Sequence, residues 1–535
     1  MKRYHFFKTI ILSLGLLAAV FSCTGIFEDY NTHPTKPGDN DGTAPERIGV
    51  LFPEMLYLMH NFQENRNQHF EQMVLNQYGG YMVTTNNWQG QNFGTFNPNP
   101  DWVASPFNTH FTGFYANFLK VKSATQEKGY IYAWANVIRA AVMLRVVDTY
   151  GPIPYSKMGL GQVAVEYDDV QDVYHYIIED LDNSIAVLTN FVAEHGGEET
   201  PMDQFDLVYK GDFSKWIKFA NSLKLRMAVR IALVDTNYAI DVMNSAIAGG
   251  LIEANEDNAF LPTKDNPYYK SAFDWRDLAA SATLTSYLNG WNDPRRTVYI
   301  TNDQFNRYAG VRMGINNINQ SWYGVIFAKP NFATDSPLPV YCAAETFFLK
   351  AEAALRGWVP GDAGALYEQG IRASMQQHRV EIGDYLSVTE NPQSYADVIT
   401  ALHNFNIASA ENGGDVTVSW EKAITGEQKL EAVITQKWLA LYPAGSEAWC
   451  DFRRTGYPRI IPAVSDLSSA SAGGSVQNPV MINPATPEGA VRMVRRLPYP
   501  NSEYKGNPAN VQNAVNKFLG GKDELSTNLW WSKNN

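Results

Sequence analysis

Between residues 170 and 188 the apolar side chains fall on one face of a helix. Val170, Val173, Tyr174, Ile177, Ile178, Leu181, Ile185 and Leu188 keep the i, i+3, i+4, i+7 spacing over about five turns. Such a stripe predicts an amphipathic helix with one buried face. The spacing recurs along the chain. Ile131, Trp134, Ile138 and Val142 share a face in 130–148. Trp216, Ala220, Leu223, Met227, Ile231 and Val234 do so in 213–234, with Asp212 or Ser214 available as N-cap. Residues 340–356 carry Tyr341, Ala344, Phe348, Ala351 and Leu355, and stop at Gly357. Further helices are predicted over 48–78, ended by Gly79-Gly80, and over 363–378 and 427–442. Paired helices of this length point to tetratricopeptide-type hairpins, although the period of about 34 residues is not kept.

The segments between the helices differ in kind. Residues 79–125 and 255–338 are rich in Asn, Gly, Pro, Tyr and Trp, and 457–500 in Ser and Gly. They read as long loops and short strands inserted into a helical scaffold. Long ordered loops are where function tends to sit.

The N-terminus reads as an address. Lys2, Arg3 and Lys8 precede a mostly apolar run from Ile10 to Val20, too short for a membrane span, and then Phe21-Ser22-Cys23. That order marks residues 1–22 as a secretory signal. The cleavage site resembles a bacterial lipobox, with Ser22 as the usual small residue and Val20 where Leu is customary. Cys23 would become the new N-terminus and carry a diacylglycerol and a further acyl chain, enough for stable anchoring. The alternative is an ordinary secretory signal with a stray cysteine. Residues 23–47 form a lipidated, polar tether rich in Pro, Gly, Asn and Asp, and 48–535 form the folded domain. No later stretch is expected to span a membrane, which leaves the lipid as the anchor.

Removing residues 1–22 takes the formal charge from -12 to -15. An acidic surface argues against a nucleic-acid partner, whose phosphates need a basic face. Cys342 and Cys450 then remain, enough for one disulfide but not for a disulfide framework. Cys342 lies in an Ala-rich pattern and reads as a small buried hydrophobe.

With 13 Trp and 29 Tyr, the chain holds aromatic rings beyond the helical stripes. One loop carries Asn86, Asn87, Trp88, Gln89, Gly90, Gln91, Asn92 and Phe93, followed by Asp101 and Trp102. A second runs from Asn316 and Asn317 through Asn319, Gln320 and Ser321 to Trp322 and Tyr323. Tyr268, Tyr269 and Trp275 form a third set. Sugars stack their C–H faces on indole and phenol rings and pair their hydroxyls with amides, while peptides use aromatic pockets and backbone amides. The candidate ligand-binding residues are therefore Trp88, Trp102, Trp322, Tyr323, Asn87, Asn319 and Tyr269. The competing role for each ring is to pack its loop onto the scaffold.

Catalytic signatures do not emerge, and no enzyme activity is expected. Asp168-Asp169 and Glu179-Asp180 are adjacent pairs whose side chains diverge on a helix. The nine histidines show no metal spacing, and Ala444-Gly445-Ser446-Glu447-Ala448 lacks the glycines of a nucleophile elbow. A surface glycoside hydrolase with carboxylates far apart in sequence is the alternative from a different class. No cofactor is expected; Gly38-Asp39-Asn40-Asp41-Gly42 has the acids and amides of a calcium loop without its ligand spacing or closing Glu.

Several stretches together resemble one family, the SusD/RagB outer-membrane lipoproteins of Bacteroidetes. Phe27-Glu28-Asp29-Tyr30-Asn31-Thr32-His33-Pro34 is similar to the family's start. Asp148-Thr149-Tyr150-Gly151-Pro152-Ile153-Pro154-Tyr155 resembles its Gly-Asp-Ile-Pro-Tyr turn. The helix from Trp216 to Arg226, Asn292-Asp293-Pro294-Arg295, Ala344 to Ala353, Arg496-Leu497-Pro498-Tyr499-Pro500 and Leu529-Trp530-Trp531 match as well. The resemblance implies a mainly α, SusD-like fold: four tetratricopeptide-like helical pairs carrying an irregular, loop-rich lobe with few short strands. It implies a lipid-anchored outer-membrane protein facing the cell exterior, with Glu28-Asp29 resembling the acidic export signal, the alternative being a solvated acidic patch. It also implies a SusC-like TonB-dependent transporter as partner, over whose mouth the protein acts as a lid. The ligand is an oligosaccharide in the first reading and a peptide in the second. Some relatives hold calcium in the folded body, and no motif here locates such a site. Within the matching helices, Arg226, Arg230, Glu345 and Glu352 are either buried ion pairs or solvated faces, and Trp530 and Trp531 are expected to dock the C-terminus.

Overall fold

The computed structural model describes residues 44–196, 198, 200, 202–409, 415–468 and 493–532. The signal, Cys23 and the tether through residue 43 lie outside the described residues. Where the sequence predicts one helix over 48–78, the chain forms α1 (Phe52–Tyr57), a break, and α2 (Glu64–Asn67), which runs on into a π-helical stretch Gln68–Asn76. The break has a polar cause. Glu71 accepts from both the backbone N–H and the side-chain amide of Asn61, while Asn67 donates to the Asn61 carbonyl. These buried groups satisfy one another instead of continuing the helical ladder.

The segment 79–125 corrects the loop reading. After β1 (Met82–Thr84), its second half forms α3 (Pro100–Asn108), a π-turn Thr109–Phe114 and α4 (Tyr115–Thr125). Asn99 caps α3 through the Asp101 N–H, and Pro100 sits at its first position. The π-turn joins α3 to α4, and Val103, Phe107, Phe114, Phe118 and Val121 are all buried.

Four sequence-adjacent helix pairs make the scaffold. The first is α5 (Gly129–Tyr150) with α6 (Val170–His195), and the second α7 (Phe213–Ile231) with α8 (Thr236–Ala248). Along α6 the predicted stripe is buried, with only Ile185 half-exposed. Asp212 is the N-cap of α7, accepting from the Ser214 and Lys215 N–H groups. The α7 stripe ends at Ile231, and Val234 lies exposed beyond it. Contrary to the sequence expectation, α5 is long and apolar enough to cross a membrane. It is buried on every side from Ala133 to Tyr150, which makes it the scaffold's core helix.

Between the second and third pairs lies the irregular lobe. Here β2 (Ala259–Leu261), β3 (Leu278–Ala280), α9 (Ala282–Gly290), α10 (Gln320–Ile326) and β4 (Leu338–Tyr341) follow in order. Strands β1 and β3 pair antiparallel with Met82 opposite Ala280, and β2 pairs antiparallel with β4. Tyr341 belongs to β4 rather than to the helix predicted over 340–356. The third pair is α11 (Ala343–Leu355) with α12 (Ala363–Gln377), and the fourth α13 (Gly426–Ala440) with α14 (Gly445–Thr455). A last helix, α15 (Pro508–Phe518), precedes the C-terminus.

Buried ion pairs lock the scaffold helices together. Arg454 of α14 grips Glu352 of α11 with two contacts of 2.6 and 2.7 Å, and Lys437 of α13 meets Asp451 of α14 at 2.9 Å. Arg230 of α7 pairs with Asp148 of α5 and Glu447 of α14. Trp531 is buried with the guanidinium of Arg453 4.8 Å from its ring, so the C-terminus docks on the body as predicted. Cys342 and Cys450 are separate, buried free thiols.

Candidate ligand-binding surface

The loop that follows β1 is held by its own amides. The Thr85 N–H donates to the Asp277 carbonyl at 2.8 Å, and the Thr85 hydroxyl donates to the Arg276 carbonyl at 2.7 Å. The Asn86 side chain then accepts from the Trp88 N–H at 3.1 Å. This turn carries Trp88 and Gln89 into left-handed backbone, with φ of 47° and 57°. Two consecutive non-glycine residues there cost free energy and persist only where surroundings dictate them. The Asn87 carbonyl closes the turn by accepting from the Gly90 N–H, and its residue is half-buried.

The Trp88 ring meets Trp102, at the start of α3, edge to face at 5.2 Å. Trp102 in turn stacks on His69 at 5.5 Å. Both indoles are half-buried, and the Trp88 Nε1 is buried with no hydrogen-bond partner.

Helix α10 brings the second loop beside the first. Asn319 caps it through the Ser321 N–H, so the Asn319 carbonyl oxygen is already engaged. Trp322 is 60% exposed. Tyr323 corrects the sequence reading, since it is buried and stacks on Phe327 at 5.2 Å. Adjacent helical residues point about 100° apart, and on this helix that step carries Trp322 to solvent and Tyr323 against the body. A Cβ on Gly324 would come within 2.1 Å of the Arg276 carbonyl oxygen, which shows how closely α10 sits on that turn.

The third aromatic set divides. Tyr268 is a core residue whose hydroxyl hydrogen-bonds with His60 and Asn76. Tyr269 is half-buried and leans on Phe273 at 5.0 Å. Trp275 is half-buried, with the Lys270 ammonium 5.4 Å from its ring.

Sequence reasoning missed the residue at which these segments meet. The Asp277 carboxylate accepts from Gln68 Nε2 at 3.0 Å, from Asn86 Nδ2 at 3.1 Å and from Gln320 Nε2. Burial pushes its carboxyl pKa up, and the three amide bonds oppose that shift. A single Asp in an irregular segment carries no local signal of such a role.

A separate polar cavity of about 370 Å³ is lined by Thr285, Ser286, Asn289, Arg307, Tyr308 and Tyr395, among others. None of the sequence-predicted ligand residues lines it. Among the described residues, no group of three or more His, Cys, Asp or Glu converges as metal ligands.

Comparison with known proteins places this arrangement. The family model for SusD-like proteins, the SusD and RagB outer membrane lipoproteins, matches residues 29–532. A SusD-like protein from Bacteroides thetaiotaomicron shares 36% identity and superposes with a TM-score of 0.83, covering 91% of this chain and 99% of its own. A SusD homolog from Bacteroides uniformis shares 33%, with a TM-score of 0.81 and coverage of 92% and 100%. A chitin-binding SusD homolog from Flavobacterium johnsoniae shares 32%, with a TM-score of 0.81 and coverage of 91% and 99%. A comparison with curated proteins returned no match.

Proposed function

The chain belongs to the SusD/RagB family of nutrient-binding outer membrane lipoproteins, and from that premise we propose that it captures an oligosaccharide at the cell surface and delivers it to a SusC-like TonB-dependent transporter. The observation that carries this reading is Trp322. It holds a large indole in solvent on a helix seated beside the Trp88 loop. An isolated exposed Trp needs no explanation, but this one stands two residues after Gln320, which shares the Asp277 carboxylate with Asn86 of the Trp88 loop, and rings and amides so arranged suit a stacking platform. The sugar's C–H face would cover Trp322, and the amides would take its hydroxyls. The chitin-binding relative supports a glycan as ligand class. Cys23 would tether the platform to the outer membrane, and the protein works as a binding subunit without turnover.

The test is calorimetric titration of the soluble chain from residue 24 onward. Chito-oligosaccharides, malto-oligosaccharides and short peptides serve as probes. Binding of a glycan that weakens in Trp322→Ala supports the proposal. Binding of peptides alone would replace it with a peptide importer subunit. Hydrolysis of a bound oligosaccharide would replace it with a glycoside hydrolase. For the partner, gentle detergent extraction should co-purify a large barrel protein, and its absence counts against the lid.

A further inference from the structure

We infer that Asp277 is a positioning residue whose carboxylate holds the Trp88 loop and the Trp322 helix in one fixed relative arrangement. The inference rests on the ligand-platform reading above and identifies what sets the platform's geometry.

The bonding pattern is specific. Oδ1 of Asp277 accepts from Asn86 and from Gln320, one donor on each aromatic segment, and Oδ2 accepts from Gln68 of the π-helical stretch. That stretch packs against α14, so Oδ2 ties the pair to the scaffold. Each indole lies close to the cluster. Asn86 also accepts from the Trp88 N–H, Gln320 stands two residues before Trp322, and Gln320 Nε2 donates a second bond to the Trp275 carbonyl at 2.8 Å.

The chemistry of the group matters. An ionised carboxylate is acceptor-only, with about four lone-pair directions, so it can receive three amides arriving from three segments. Its neighbours in the cluster are neutral amides, and among the described residues no cation forms an ion pair with it. A buried charge without a cation costs stability, and an apolar side chain would serve packing alone better. What the carboxylate supplies is convergence. Thr85 and Gly324 already seat the two segments against the Arg276–Asp277 backbone, and to that the carboxylate adds one acceptor shared by a side chain from each.

Two variants separate positioning from charge. In Asp277→Asn, Oδ1 still accepts from Asn86 and Gln320, and the Gln68 amide can rotate to accept from the new NH₂. In Asp277→Ala all three amides lose the carboxylate, and Gln320 keeps only the Trp275 carbonyl. Hydrogen exchange resolved by peptide is read at 85–92 and 319–326, together with glycan affinity. The expected result is faster exchange at both segments in Asp277→Ala with affinity down about tenfold or more. Asp277→Asn should keep both protected, with affinity within about threefold of wild type. Unchanged exchange at either segment in Asp277→Ala, or equal loss in both variants, overturns the inference. If Asp277→Ala does not fold, the double-mutant cycle of Asn86→Ala and Gln320→Ala decides: coupled exchange supports the clasp and additivity overturns it. If the wild type binds no glycan, the exchange data still decide the role of Asp277 while the proposed function falls.

Discussion

Arg226 of α7 and Glu345 of α11 form a two-pronged ion pair inside the scaffold, with Nε and Nη2 each 2.7 Å from a different carboxylate oxygen. The pair joins the second helix pair to the third, and a further contact runs from Arg226 Nε to Glu447 of α14 at 3.4 Å. Both side chains are nearly inaccessible, so their desolvation has already been met and removing one partner strands the other. Glu345→Ala should destabilise the fold by about 3–5 kcal/mol. The double variant Arg226→Met with Glu345→Leu should lose less than the single one. Urea unfolding midpoints of the three proteins check this, and a double variant worse than the single would refute it.

The buried imidazole of His110 sets an acid limit. Its Nδ1 lies 2.6 Å from the Pro106 carbonyl, and burial, aided by the positive charge of Arg145, lowers its pKa from 6.5 to about 4. Between those values the unfolded chain binds a proton that the folded chain does not. Stability therefore falls as pH drops from about 6.5 toward 4, by roughly 2–3 kcal/mol from this residue. His110→Gln should flatten that part of the stability–pH curve, measured by chemical unfolding at several pH values.

Trp322 and Trp88 should separate binding from stability. Trp322→Ala removes an exposed ring, so its melting temperature should stay near that of wild type while glycan affinity falls by about 1–3 kcal/mol. Trp88→Ala also removes the edge contact to Trp102, and should lower both affinity and melting temperature. Equal melting losses in the two variants would contradict the exposed placement of Trp322.

Close packing at Gly445 predicts a steric penalty. A Cβ there would lie 2.4 Å from the Leu75 carbonyl carbon and 2.5 Å from the Asn76 nitrogen. Backbone cannot yield as a flexible side chain can, so Gly445→Ala should cost about 1–3 kcal/mol. Gly426→Ala, at the open first position of α13, is the control and should be neutral or mildly stabilising. Thermal melts of the two variants make the comparison.

The anchor is tested in cells. Cys23→Ala should leave the membrane fraction and lose labelling by a fatty-acid analogue. Continued partitioning with membranes would show that another element anchors the chain.

Periodicity is a local property, and it marked six of the eight scaffold helices, while α8 and α14 were not read from it. The stripe from Val170 to Leu188 and the cap at Asp212 follow from the neighbourhood of each residue. A helix face records its own burial in the spacing of its apolar side chains. The reading failed in two other places. The segment around α3, the π-turn Thr109–Phe114 and α4 reads as a loop from its Asn, Gly, Pro and aromatic content although it is helical on both sides of the π-turn. Asn61, Asn67 and Glu71 broke the helix predicted over 48–78 by bonding to one another.

The ligand surface lay further from local reach. Its aromatic and amide composition was visible in the two loops, but which ring faces water was not. Trp322 and Tyr323 are neighbours of similar chemistry, and only the seating of α10 on the Arg276 turn sends one outward and the other against Phe327. Arg226 and Glu345, 119 positions apart, could equally have met solvent until the helix pairs were assembled. Asp277 is the extreme case, with donors 209, 191 and 43 positions away. The order of residues marked most of the scaffold helices, because a helix face depends on turns of a few residues. The meeting of distant amides at one carboxylate was settled by the fold alone, because a hydrogen bond depends on proximity in space.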